Sequence, residues 1–130
     1  MKEINNQRIL IDTDILIDHL RGSKNIAAII SSSSGNTPFI SVISIAEIYS
    51  FLFIQEYQVM DELLNMITVI NVDDIIAKTA GKYRMEYIKS NQLTVPDALI
   101  AATAKINRAA LVTKNTRHFP MDDIIKIRPY

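Results

Sequence analysis

The stretch "LIDTDILIDHLRG", residues 10–22, contains the change of pattern that decides the fold. A short apolar run ends on three aspartates, Asp12, Asp14 and Asp18. A carboxylate at the end of a buried strand costs free energy unless a partner or a shifted pKa neutralises it. The apolar residues that follow have helical spacing and stop at Gly22, a residue typical of helix ends. We therefore predict a buried strand that turns directly into a helix, with acidic groups at the turn.

Other apolar runs of the same kind recur along the chain. The five runs are "RILID" (8–12), "FISVI" (39–43), "ITVINV" (67–72), "AALVT" (109–113) and "IIKI" (124–127). Short runs rich in Ile and Val are typical of buried parallel strands. The segments between them have helical periodicity, and we predict six helices: 14–22, a short one from 23 that ends in a Ser/Gly loop by 36, 44–54, 57–67, 73–92 and 95–106. This alternation predicts an α/β fold, a three-layer sandwich with a central, mostly parallel sheet of about five strands and helices on both faces.

Composition sets the class of protein. The chain has 130 residues, enough for one domain, and 48% of them are hydrophobic against 22% charged. It has no cysteine, which excludes disulfides, thiolate zinc sites and cysteine nucleophiles. The longest dense apolar stretch, 42–54, has 13 residues and contains Glu47, so it is too short to span a bilayer. With no signal-peptide pattern at the N-terminus, we expect a soluble, cytoplasmic protein with no membrane contact.

Four polar residues do not fit their surroundings. Glu47 lies in "VISIAEIYSFLF", a helix so apolar that we predict it to be buried, and a buried glutamate needs a partner. Asp12, Asp97 and Asn115 each have a structural alternative as a helix cap, a first-turn acid and a turn residue, respectively. Together the four converge on the carboxyl ends of the predicted strands, where ligands bind in such sheets. A set of hard oxygen ligands favours Mg²⁺ or Mn²⁺ over Zn²⁺.

The order of four segments resembles the PIN-domain ribonucleases, specifically the VapC class of toxins from toxin–antitoxin pairs. These segments are "ILIDTDILIDHLRG", "ISVISIAEIY", "VPDALIAATA" and "LVTKNTRHF". The resemblance covers nearly the whole chain and implies a single PIN domain, 1–130, with Asp12, Glu47 and Asp97 as metal-site residues. Asn115 occupies the fourth catalytic position, which varies in the family between an acid and Asn.

The resemblance also implies a reaction and partners. The reaction would be metal-dependent hydrolysis of RNA phosphodiester bonds, with Glu47 either a metal ligand or the group that orients the attacking water. Candidates for binding RNA phosphates are Lys114, Arg117 and His118, while Thr113 and Thr116 could bind phosphate or cap a turn. The expected partners are an antitoxin protein and a second copy in a homodimer. The apolar segment 49–67 could supply such an interface or could belong to the core.

The remaining aspartates of the opening stretch have weaker assignments. We interpret Asp14 as the helix N-cap in preference to a metal ligand, and Asp18 as a supporting or surface residue. Three other functions compete with the ribonuclease. The chain could be a haloacid-dehalogenase-like phosphatase with Asp12 as nucleophile and Asp14 as acid/base, or a non-catalytic PIN domain that binds RNA or a partner. A phosphate-accepting receiver domain would need an Asp at the end of the third strand, where "ITVINVDD" offers only acids that begin a helix.

Overall fold

Five strands form one parallel sheet with β1 at its centre. The computed structural model describes residues 7–31 and 38–130, and in this part of the chain the sheet order is β3-β2-β1-β4-β5. The strands are β1 (Ile9–Ile11), β2 (Phe39–Ser41), β3 (Thr68–Ile70), β4 (Ala110–Val112) and β5 (Lys126–Ile127). Every pairing between neighbouring strands is parallel. The predicted sheet is therefore confirmed, and β1 and β4 lie side by side.

In the part of the chain that the structure describes, six α-helices connect the strands. They are α1 (Thr13–Leu20), α2 (Asn25–Ser31), α3 (Val42–Tyr49), α4 (Tyr57–Leu64), α5 (Asp74–Asn91) and α6 (Val95–Ile106). Within residues 7–31 and 38–130 the chain also forms two 3-10 turns, Ile54–Glu56 and Thr116–His118. The Ser/Gly loop predicted after α2 lies outside the described residues. No helix in the described part of the chain combines the length and the apolar composition that a membrane crossing requires.

Helices cover both faces of the sheet and give two cores. Along β1, Ile9 and Ile11 pack into one core and Leu10 into the other, because alternate side chains of a strand point to opposite faces. The first core contains buried apolar residues of α1, α2, α3 and α4, and the second contains buried apolar residues of α5 and α6. The chain is thus the three-layer sandwich that the alternation of strands and helices predicts.

The prediction is wrong at both ends of α3. The run 39–43 was predicted as a strand, but β2 ends at Ser41, whose hydroxyl accepts the N–H of Ile43 at 3.0 Å and caps the helix. The helix predicted over 44–54 ends at Tyr49 instead. Next to that end the Ser50 hydroxyl donates to the Glu47 carbonyl, a local bond that competes with continued helix.

Candidate active site

Asp12 directly follows the last residue of β1 and is the N-cap of α1. Its N–H donates to the Val112 carbonyl at 2.9 Å, which continues the pairing of β1 with β4. Its Oδ1 accepts the N–H of Thr13 at 2.8 Å and so caps the helix, while its Oδ2 accepts the Thr113 hydroxyl at 2.7 Å. The residue is only 6% exposed. Asp12 is therefore a helix cap and a buried acid at the centre of the sheet edge at the same time.

Asp14 is not the N-cap that the sequence suggests, because Asp12 takes that role. It lies in the first turn of α1 and turns toward the loop after β4. Its Oδ2 accepts the Lys114 N–H at 2.9 Å and the Asn115 side-chain amide at 3.1 Å, and lies 3.2 Å from the Thr113 hydroxyl. Its Oδ1 is buried and has no hydrogen-bond partner among the described residues. A buried carboxylate oxygen without a donor is costly, so this atom calls for a cation or a proton.

Asp97 approaches the same edge from the first turn of α6. Thr94 caps that helix by accepting the Asp97 N–H at 3.2 Å, and Pro96 occupies the first turn as predicted. The Asp97 side chain is 25% exposed, and its Oδ2 lies 3.9 Å from Nδ1 of His118. The acid is therefore half-buried, with an imidazole beside it on the solvent side.

Glu47 lies less deeply than the apolar helix around it predicts. It is half-buried, and its Oε1 accepts the Thr13 hydroxyl at 2.8 Å. The Thr13 hydroxyl is also 2.9 Å from the hydroxyl of Ser44, which is fully buried. Only Ser44 and Ile48 of α3 are buried, so much of the apolar surface of this helix remains partly open. The partner that the sequence predicts for Glu47 is therefore the hydroxyl of Thr13, and not a positively charged side chain.

The acids of this edge repel one another and lose hydration. Burial, followed by the charge of Asp14, raises the pKa of Asp12 from 3.8 to about 7, and the hydrogen bond from Thr113 opposes this. Burial also raises the pKa of Asp14 and of Asp97, and the neighbouring His118 lowers that of Asp97. The charge of Asp14 contributes to the raised pKa of Asp97 as well as that of Asp12. Asp12, Asp14 and Asp97, which we call the acidic cluster, form one electrostatic unit.

The acidic cluster suits a hydrated cation better than a closed ligand cage. Across residues 7–31 and 38–130, no group of three or more Asp, Glu, His or Cys side chains is arranged to ligate one ion directly. Mg²⁺ keeps several of its waters and needs only one or two direct carboxylates. The buried, unpartnered Oδ1 of Asp14 and the raised pKa of Asp12 are features that such an ion would relieve. The donor set thus fits Mg²⁺ or Mn²⁺.

The basic residues near Asn115 differ in whether a carboxylate already pairs with them. Nζ of Lys114 lies 2.6 Å from Oδ2 of Asp18, which also accepts the Tyr130 hydroxyl at 2.8 Å. Lys114 is therefore already paired, and Asp18 is its partner. Arg117 and His118 are exposed. A polar cavity of about 350 Å³ lies beside them, lined by Lys114, Asn115, Thr116, Arg117, His118 and Arg128.

Two threonines have roles that the sequence does not reveal. Thr113 is fully buried and its hydroxyl holds Asp12, so it is not open to a phosphate; it also accepts the Asn115 N–H at 3.0 Å. Thr13 positions Glu47. Asn115 donates its amide to Asp14, so it reaches the acidic cluster as a hydrogen-bond donor. The sequence feature that could have indicated these contacts is the Asp-x-Asp spacing at a strand end, together with the Thr that follows the neighbouring strand.

Comparison with known proteins agrees with this geometry. The PIN domain matches residues 9–123. The chain is 37% identical to Ribonuclease VapC10 of Mycobacterium tuberculosis over 122 residues, 91% of this chain and 90% of the relative. A toxin–antitoxin complex from Klebsiella pneumoniae has 30% identity and a TM-score of 0.78, over 94% of this chain and 98% of the other.

A more distant structure supports the fold. DNA-bound VapBC from Salmonella typhimurium superposes with a TM-score of 0.82 at 20% identity, over 95% of this chain and 99% of the other. The PIN match over nearly the whole chain leaves the phosphatase and receiver-domain alternatives without support. The chain belongs to the PIN-domain family, in its VapC branch.

Proposed function

We propose that this protein is a metal-dependent endoribonuclease that hydrolyses RNA phosphodiester bonds and serves as the toxin of a toxin–antitoxin pair. Its curated relatives carry the name ribonuclease, and the solved structures similar to it include a toxin–antitoxin complex. The chain has the acids that such a reaction requires, at the edge of the sheet where ligands bind in parallel α/β folds.

The observation that carries the proposal is the uncompensated acidic cluster. Asp12 is buried with a pKa near 7, and Asp14 has a buried oxygen without a donor among the described residues. A protein that needed these acids only for its fold would pair them with Lys or Arg, as Asp18 is paired with Lys114. A divalent cation is the partner that neutralises several carboxylates at once, and oxygen ligands select Mg²⁺ or Mn²⁺.

The residues of the site would have three different roles, which are cation binding, orientation of water and positioning of the acids. Asp12, Asp14 and Asp97 would hold the cation directly or through its waters, and when bound it would supply Lewis acidity toward the phosphate and a water that deprotonates near neutral pH. Glu47 has one oxygen fixed by Thr13 and can orient the attacking water or accept a hydrogen bond from a cation-bound water. Asn115 and Thr113 keep Asp14 and Asp12 in place.

RNA would approach over the basic turn after β4. Arg117 and His118 are exposed in this turn, His118 lies beside Asp97, and both would contact phosphates of the RNA backbone. Lys114 can add a third contact if the phosphate displaces Asp18 from its ammonium group. These contacts would orient the RNA without selecting its sequence.

Protein partners would cover an exposed apolar surface between α3 and β3. Phe51, Phe53, Ile54, Tyr57, Val59 and Met66 are each between 41% and 83% exposed. Several exposed large apolar residues in one segment are typical of protein interfaces. Only part of the segment 49–67 belongs to the core, through Met60, Leu63 and Ile67. We therefore assign the exposed remainder to the antitoxin or to the second copy of a homodimer.

Cleavage of a structured RNA by the purified protein tests the proposal. We expect cleavage with Mg²⁺ or Mn²⁺ and none after EDTA. Asp12→Asn, Glu47→Gln and Asp97→Asn should each reduce the rate at least about 100-fold, the scale of losing a key electrostatic group. Asp61→Asn, at an exposed position on α4, is the matched control and should retain full activity.

Four outcomes would contradict the proposal. Cleavage that persists after full metal removal would reject the metal mechanism. Equal losses at Asp61 and Asp97 would reject the site. Binding of RNA without cleavage under any metal condition would favour a non-catalytic PIN domain, and release of phosphate from a small phosphomonoester would revive the phosphatase alternative.

A further inference from the structure

A second cavity adjoins the acidic cluster on the side of α6. The turn between α5 and α6 encloses about 210 Å³ of space, lined by Asn91, Gln92, Leu93, Thr94, Asp97 and His118. Drug-sized ligands occupy cavities of roughly 300–1,000 Å³, so this one suits a single ring system. Asp97 and His118 belong to both the cavity and the proposed cleavage site. A group bound here would therefore lie next to the scissile phosphate.

Gln92 adopts a backbone conformation that its side chain disfavours. It follows the last residue of α5 with φ 54° and ψ 40°, the left-handed region in which helices usually place glycine. The chain uses glycine for the comparable turn after α1, where Gly22 has φ 94°. A glutamine kept in this conformation is strained, and strained residues cluster at functional sites.

The strain at Gln92 has no internal compensation. Its N–H donates to the Ile88 carbonyl at 3.0 Å, a bond that glycine would make equally well. Its side-chain amide is exposed and makes no hydrogen bond to any residue of the ranges 7–31 and 38–130. An unpaired amide at the rim of a cavity is available to a ligand, and its carbonyl and NH₂ groups can accept and donate at the same time.

The neighbours of Gln92 complete a surface for one nucleobase. The side-chain Oδ1 of Asn91 accepts the Ser90 hydroxyl at 2.7 Å, which leaves the Asn91 NH₂ group free to donate. Leu93 is 2% exposed and supplies an apolar wall, and the exposed imidazole of His118 can stack on a ring. Amide groups for the edge of a base and an aromatic ring for its face are the means by which proteins bind unpaired RNA bases.

We propose that this cavity binds an unpaired base of the RNA beside the scissile phosphate, and that Gln92 and Asn91 thereby set the preferred cleavage sequence. The inference rests on the proposed ribonuclease activity and deepens it, since the basic turn after β4 would bind phosphates of any sequence. Gln92 is then a specificity-determining residue that contacts the substrate without taking part in the chemistry.

The test compares cleavage sites in an RNA pool whose single-stranded loop is randomised, read by sequencing the new RNA ends. The parent protein should favour one base at one position by at least about fivefold, the scale of one hydrogen bond. Gln92→Gly and Gln92→Asn should reduce this preference to below about twofold, mainly by slowing cleavage of the preferred sequence. Both substitutions suit the left-handed region, so each variant should melt no lower than the parent.

Arg108→Gly is the matched control. Arg108 is the other non-glycine residue with a positive φ, 51°, and it lies beyond the C-terminal end of α6, while Asp97 lies at the N-terminal end. Its substitution should relieve the same strain and leave the base preference unchanged.

Three results would overturn the inference. A base preference that survives both Gln92 substitutions, or that changes equally in Arg108→Gly, would place specificity elsewhere and leave the ribonuclease intact. A parent protein that cleaves no RNA with any metal would remove both the inference and the proposed function.

Discussion

Asp12 combines two requirements that oppose each other. As the N-cap of α1 it accepts the Thr13 N–H, an interaction that favours the ionised form. Its burial and the charge of Asp14 favour the neutral form and raise its pKa to about 7. A residue selected only as a cap would avoid this conflict, because Ser or Asn caps a helix equally well. An acid that is buried because it serves a function, and not the fold alone, is expected to show this conflict.

Replacement of this acid should therefore stabilise the metal-free protein. Asn at position 12 can keep the cap through its carbonyl, and its NH₂ group can donate to the Thr113 hydroxyl, which in turn can donate to Asp14. We expect Asp12→Asn to raise the free energy of unfolding by about 0.5–2 kcal/mol at pH 7.5 in EDTA while abolishing cleavage. Urea unfolding checks the first part, with Asp61→Asn as the control, because an Asn there can still accept the Tyr49 hydroxyl that Asp61 accepts at 3.0 Å. A less stable variant would make Asp12 a structural cap.

Thr113 provides the hydroxyl on which the site geometry depends. Thr113→Val keeps the shape but removes the donor to Asp12 and leaves the Asn115 N–H without its acceptor. We expect a loss of about 1–3 kcal/mol in stability, and a further rise in the pKa of Asp12, because the Thr113 hydrogen bond lowers it. Thr113→Ser retains the hydroxyl and should retain most of the stability. Equal losses in the two variants would show that packing of the methyl group matters, not the hydrogen bond.

At the scale of one element, α5 contains a glycine that lowers helix stability and that packing does not require. Gly81 lies inside this 18-residue helix, and a Cβ added there would meet nothing within 4 Å. Gly81→Ala should therefore stabilise the protein by about 0.5–1 kcal/mol, since alanine restricts the unfolded chain and favours helix. Gly22→Ala is the contrasting case, because φ is 94° there and alanine would be strained. Thermal melts of the two variants should shift in opposite directions, and a destabilised Gly81→Ala would indicate that α5 is covered by another molecule.

The basic turn after β4 should contribute to RNA binding through charge alone. Arg117 is exposed in this turn and lines the polar cavity near the acidic cluster. Arg117→Ala should weaken RNA binding and lower the slope of log Kd against log salt by nearly one unit, the change expected on losing one phosphate contact. Arg84→Ala, at an exposed position of α5, should leave the slope unchanged. An unchanged slope for Arg117→Ala would place this residue away from the RNA.

The sequence predicts elements better than their ends. The runs of Ile and Val identify all five strands, because a strand buried on both faces needs apolar residues without interruption. The end of β2 was misplaced, since Val42 and Ile43 continue the apolar run after the Ser41 hydroxyl has already begun α3. A side-chain hydroxyl that accepts one N–H outweighs β propensity at such a boundary, and a single sequence carries little signal for it.

At the scale of the whole molecule, the candidate site depends on contacts between distant parts of the chain. Asp12 and Thr113 are separated by 101 positions, and their hydrogen bond exists because β1 and β4 are neighbours in the sheet. The acids themselves could be predicted, because each lies in an apolar context or at a strand end. The role of Asp14 could not, since its partners Lys114 and Asn115 reach it only after the sheet has formed.

The fold as a whole should respond to pH and to metal through the acidic cluster. The folded state holds a proton on Asp12 up to about pH 7, whereas the ordinary pKa is 3.8, so between these values the folded protein binds more protons than the unfolded chain. In EDTA the free energy of unfolding should therefore rise as pH falls from about 7 toward about 4, by up to about 1.4 kcal/mol per pH unit for one group. The raised pKa values of Asp14 and Asp97 act in the same direction.

Other carboxylates limit this gain at the acid end, and Mg²⁺ should remove it. Hydrogen bonds and ion pairs lower the pKa values of Asp18 and Asp123, so their contribution to stability is lost as pH falls below about 4. At pH 7.5, Mg²⁺ at 100 times its Kd should stabilise the protein by about 2.7 kcal/mol, and the Asp12→Asn variant much less. Because bound cation favours ionised carboxylates, the stability gained on acidification should disappear. Melting curves from pH 4 to 8 with EDTA or Mg²⁺ measure both effects, and metal-free stability that instead increases from pH 5 to 7 would mean that these acids are compensated within the protein and need no cation.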